Sequence, residues 1–131
     1  MNKGLFKIFA VLFLILLTQV FSEFFLVKNN LYYLIPWIDI PMHMLGGFLF
    51  GVLFIISIDY LEQKYNKVFI KNSYKNIILL VLIIGVVWEV YEYCNYIFRD
   101  FVWGGWLDTF KDLLDDLLGA GAGYFLIKRN K

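Results

Sequence analysis

The sequence predicts an all-α protein, a four-helix transmembrane bundle with both termini on the cytoplasmic side. Three observations predict it. First, 61 % of the 131 residues are hydrophobic and the mean hydropathy is +0.70, well above the roughly 45–50 % apolar content of soluble domains. Second, four apolar stretches, at about 5–27, 41–60, 77–98 and 106–127, each approach the ~20 residues that cross a bilayer as a helix. They are too long and continuous for barrel strands, and in lipid only helices or closed barrels satisfy their own backbone. Third, the basic residues alternate between sides. Lys3 and Lys7 precede the first stretch, Lys64, Lys67, Lys71 and Lys75 separate the second from the third, and Lys128, Arg129 and Lys131 end the chain. Only Lys28 and Arg99 lie in the other two connections, which by the positive-inside rule puts both termini inside. Residues 1–131 therefore read as a single integral membrane domain.

The first span carries no polar group over Phe9–Leu17. Lys3, Lys7 and the "VFS" before Glu23 also resemble a secretory signal peptide, whose removal would leave three spans in the same orientation. The apolar run resumes with "FFLV" and reaches spanning length, so retention is expected. Pro36 and Pro41 bracket the start of the second span, where proline suits a helix start. Gly46–Ile56 then runs apolar. Tyr60–Lys75 is charged and predicts a cytoplasmic connection, with Asp59 and Glu62 as rim ion pairs. The third span, "NIILLVLIIGVVW" from Asn76, is equally apolar. Tyr32, Tyr33, Trp37, Trp103 and Trp106 would form an outer aromatic belt.

The fourth span differs. At 100° per residue, Asp108, Lys111, Asp112, Asp115 and Asp116 share an arc of about 140°, and Gly119 and Gly123 continue the same face. Gly47 and Gly51 make a second GxxxG pair on span two, so these stripes are expected to pack against each other. An aspartate at mid-membrane costs ~2.5–3.5 kcal/mol on insertion scales, so the acidic stripe must face protein, water, a cation or a proton source. An amphipathic helix lying flat over 106–118 is the competing arrangement, disfavoured by its acidic polar face.

Partners are available at matching depth. Glu89 and Glu92 share a face of span three, His43 sits near the outer end of span two, and Gln19 and Glu23 lie in the outer half of span one. The expected site is a polar chamber open to the outside, lined by His43, Glu89, Glu92, Asp108 and Asp112, with Asp116 as its floor. Carboxylates with one imidazole suit a divalent cation, so these six residues are the candidate metal ligands. His43, Glu89 and Asp108 are the candidate acid–base groups. No HExxH or EF-hand spacing names the metal, and no residue pattern calls for an organic cofactor. A net charge of +1 excludes a basic nucleic-acid surface. The single Cys94 excludes an intramolecular disulfide and a cysteine zinc site.

"DIPMHMLGGFLFG" (Asp39–Gly51), "GVVWEVYEY" (Gly85–Tyr93) and "WLDTFKDLLDDLLGAGAG" (Trp106–Gly123) resemble the YjdF-type inner-membrane proteins and the wider VanZ-like family. The resemblance covers spans two to four and implies roles for Asp39, His43, Glu89, Asp108, Asp112, Asp116 and Gly119. VanZ is associated with tolerance to glycopeptide antibiotics. The implied setting is a multi-pass protein of the plasma membrane and cell envelope. Its expected partners are membrane lipid and a lipid or cell-wall precursor head group, and a homo-oligomer is compatible with the pattern. A proton or cation carrier using the same carboxylates, or a structural membrane partner without a ligand, are the other function classes.

Overall fold

The structure is a computed structural model that describes residues 3–99 and 104–129. Trp103 and Lys131 lie outside the described residues, as do the side chains of Glu23 and Arg99. Among the described residues every regular element is helical: α1 (Lys3–Phe21), α2 (Leu31–Leu34), α3 (Asp39–Tyr65), α4 (Tyr74–Arg99) and α5 (Trp106–Arg129). α1 runs on through π-helical turns at Ser22–Val27, and a 3₁₀ turn at Pro36–Ile38 leads into α3.

Three helical stretches, Lys3–Val27, Pro36–Tyr65 and Tyr74–Phe98, are long and apolar enough to cross a membrane. α5 is also long enough, since 24 residues extend about 36 Å. It fails on composition, because Asp108, Lys111, Asp112, Asp115 and Asp116 fill its first half. The four expected helices are thus present, while three meet the criteria for spanning unaided.

α3 starts two residues earlier than the proline pattern suggested. Pro41 falls in its first turn, where a missing N–H breaks no intrahelical bond. The helix stops at Asn66, whose φ of 49° makes a left-handed cap of the kind Asn tolerates. The following connection is tied back by Asn72, whose amide donates to Asp59 Oδ1 at 2.7 Å and to the Ile55 carbonyl at 3.3 Å.

Glycine contacts define how the helices run. A Cβ on Gly47 would overlap the Asp116 carbonyl oxygen, and one on Gly51 would lie 3.1 Å from the Ala120 Cα. A Cβ on Gly119 would overlap the Met44 carbonyl oxygen, and one on Gly123 would lie 3.1 Å from the Phe48 carbonyl oxygen. Positions on both helices rise together, so α3 and α5 run parallel with their backbones in close approach, as small-residue seams allow. α4 runs the other way along α5. Its Gly85 meets Asp116 and Leu113, and its Tyr74 ring lies 5.4 Å from that of Tyr124.

α5 is therefore gripped between α3 and α4, and Ile55, Ile77, Val81 and Ala120 are buried beside the seam. α1 packs against α3, yet none of Lys3–Phe21 is buried. Its apolar residues are distributed all round the helix, which suits immersion in lipid rather than a one-sided core contact. Its end is anchored by Leu26, 1 % exposed, and by the 2.7 Å hydrogen bond between the Ser22 and Tyr32 hydroxyls.

Candidate functional site

The parallel run of α3 and α5 sets their N-terminal halves side by side, and this creates the site. His43 stands one turn into α3, four residues after Asp39, so both project from the same face. Asp108, Asp112 and Asp116 stand at four-residue intervals on α5 and form one row. His43 is buried and meets this row with both ring nitrogens. Nε2 lies 3.5 Å from Asp39 Oδ1 and 3.8 Å from Asp112 Oδ2, while Nδ1 lies 3.4 Å from Asp116 Oδ1.

Asp116 is held in place by absent side chains. A Cβ on Gly85 would come within 2.8 Å of its Oδ2, and one on Gly46 within 3.9 Å of its Oδ1. Glycines on α3 and α4 thus form the walls around this carboxylate, and Asp116 faces the imidazole across the gap.

Lys111 supplies the fixed positive charge. Its ammonium donates to Asp108 Oδ1 at 2.7 Å and to Asp39 Oδ2 at 3.0 Å. It also sits 3.1 Å from Asp112 Oδ1, but without hydrogen-bond alignment. That oxygen is buried and accepts no hydrogen bond, and Asp112 is only 2 % exposed. A buried carboxylate oxygen left in this way is expensive unless a charge answers it.

Asp39, His43 and Asp112 each offer one ligand atom, all within 4.8 Å of one another. Bonds of ~2.1 Å arranged tetrahedrally put ligand atoms about 3.4 Å apart. The 3.5 and 3.8 Å separations are close to that edge. The imidazole has the orientation a metal-binding histidine takes, with one nitrogen toward the cage and the other toward a carboxylate that fixes the ring. The residues present therefore fit a cation, with Asp116 as the residue that orients His43.

The remaining expected residues occupy graded positions around this centre. Glu89 is 7 % exposed on α4 and takes a hydrogen bond from Thr109 of α5. Asp108 is at the rim, its side chain 40 % exposed. Glu92 is bonded on its own helix by the Trp88 indole N–H at 2.8 Å. One feature escaped the residue pattern. Asp39 entered the sequence reading only through resemblance, although its i,i+4 spacing to His43 is legible once α3 is known to start there. Asp115, on the same acidic arc, is 9 % exposed with Oδ2 unbonded.

No curated protein and no solved structure matches the chain at a significant level. Residues 3–130, which include every helix and all of these side chains, match the family described as "Predicted membrane protein (DUF2238)". By that coverage of nearly its whole length, the chain belongs to this family of membrane proteins.

Proposed function

We propose that this chain is a four-pass, VanZ/YjdF-like protein of the plasma membrane that holds a divalent cation in the outer half of the bilayer. Asp39, His43 and Asp112 are its ligands, and Asp116 orients the imidazole. Glu89 and Asp108 flank the cation as acid–base groups, and Glu92 lies one turn beyond. Through the cation the site engages the head group of a lipid or cell-envelope precursor. The observation that carries this reading is the two-sided setting of His43, with two carboxylates from two helices on one nitrogen and the glycine-walled Asp116 on the other. In this arrangement α5 crosses the membrane with its charged stripe turned against α3 and α4, where the cation and Lys111 compensate it.

A carrier would need polar groups through the whole thickness. From Gly47 to Ile58 α3 has no ionisable residue, and α4 has none from Ile77 to Trp88. This favours a site reached from one side.

Calorimetric titration of the purified protein with Mn²⁺ and Zn²⁺ tests the site. One ion per chain is expected, with binding lost in His43→Ala. Asp116→Asn keeps the ligands but frees the ring, and should weaken binding by about 10–100-fold. Wild-type protein that binds neither ion ends the reading.

Orientation has its own test. In a Cys94→Ser background, Asn29→Cys should react with an impermeant maleimide added to intact cells. Asn66→Cys should react only after lysis. The reverse pattern would invert the topology.

A further inference from the structure

We propose that Lys111 is an exchangeable internal counter-ion of the Asp39–His43–Asp112 cage, and that it sets which cations the cage accepts. The inference rests on the cation reading above and deepens it.

Lys111 Nζ contacts Asp39 and Asp112, two of the three cage ligands, at 3.0 and 3.1 Å. It also contacts Asp108 at 2.7 Å, a rim carboxylate outside the cage. The ammonium thus straddles the boundary between cage and rim. The contact with Asp112 is the poorer one, since Oδ1 receives charge but no hydrogen bond. The side chain is 37 % exposed, so its end has room to move outward. Lys111 holds Asp39 Oδ2 and Asp112 Oδ1, while the other oxygen of each carboxylate faces His43. A cation bound on the His43 side draws charge from the same two carboxylates, repels the ammonium, and leaves it its shortest contact, Asp108, three residues away on the same helix.

Charge decides which ions succeed. A tethered ammonium competes at high effective concentration. Na⁺ or K⁺ carries the same single charge and gains nothing by replacing it. A divalent ion doubles the Coulomb attraction to the same two carboxylates and can displace it. Lys111 therefore discriminates by valence, and it offsets one unit of the cage's negative charge when no metal is bound.

Lys111→Met removes the competitor without adding a polar group. Titrated with Mn²⁺ as full-length protein, this variant should bind at least about tenfold more tightly than wild type. Na⁺ should now compete with Mn²⁺, as it does not in wild type. If wild type binds Mn²⁺ and the variant binds equally or more weakly, the counter-ion role is wrong while the cation site stands. Were only the variant to bind, the counter-ion role would stand and the wild-type cation site would fall. If neither binds, both are wrong. Should the variant not fold, the wild type provides a second readout. Lys111 acylation by an amine-reactive ester, followed by peptide mass spectrometry, should rise several-fold at saturating Mn²⁺, and an unchanged rate overturns the exchange.

Discussion

Gly47→Leu is expected to separate α3 from α5 and abolish the native bundle. Any Cβ at this position meets the Asp116 carbonyl, and a backbone atom has no alternative rotamer through which to yield. Overpacking in a well-filled core costs about 1–3 kcal/mol when side chains can adjust. Here the helices themselves must move, so a loss of about 3 kcal/mol or more is expected. Small-residue seams of this kind hold through close packing, which a forced separation removes. The change also pulls Asp116 from His43 and so disables the site.

The adjacent Gly46→Ala is the control. Its Cβ has nothing nearer than Asp116 Oδ1 at 3.9 Å, an ordinary contact. Fluorescence-detected size exclusion after a thermal ramp should show aggregated or early-melting protein for Gly47→Leu and near-wild-type behaviour for Gly46→Ala. Equal stability in both variants would refute the parallel α3–α5 approach.

Asp112→Ala is expected to remove cation binding and to destabilise the protein by about 3–5 kcal/mol, the usual cost of breaking one side of a buried ion pair. Asp112, like Asp39, touches both His43, at 3.8 Å, and Lys111, at 3.1 Å, and it is 2 % exposed. Its loss leaves the imidazole without one of its two Nε2 neighbours and withdraws one of the three charges around Lys111. Asp115→Asn provides the contrast. Asp115 is buried with an unbonded Oδ2 and takes part in no ion pair among the described residues. Exchanging a buried, unpaired carboxylate for an amide of the same shape should be neutral or stabilising. Thermal midpoints and Mn²⁺ titrations of the two variants separate these cases. An Asp112→Ala protein that is as stable as wild type and binds Mn²⁺ normally would refute the bridging role.

The helices were legible because apolar length and periodicity are local properties. The runs around Phe9, Gly46 and Asn76 declare themselves without knowledge of their neighbours. The glycine pairs of α3 and α5 were equally readable, since a GxxxG stripe has few uses other than close approach. Lys111 shows where local reading stops. On α5 alone it lies three residues from Asp108 and four from Asp115, the spacings of same-helix ion pairs. The structure keeps Asp108 and adds Asp39, 72 residues away, a pairing that depends on the relative rotation of two helices. Glu92 shows the converse. Its helical face was legible, but the partner that fixes its carboxylate, the Trp88 indole one turn earlier, was not.

By itself the sequence determined an all-helical membrane protein with an acidic stripe beside a glycine stripe, because burial cost and helical period act within single segments. Only the tertiary structure decided that α3 and α5 run parallel in contact, that Asp39 completes a group with His43 and Asp112, and that Asp116 stands behind the imidazole. Those outcomes depend on distances between helices, and it is the glycine contacts, a few ångströms across, that set them.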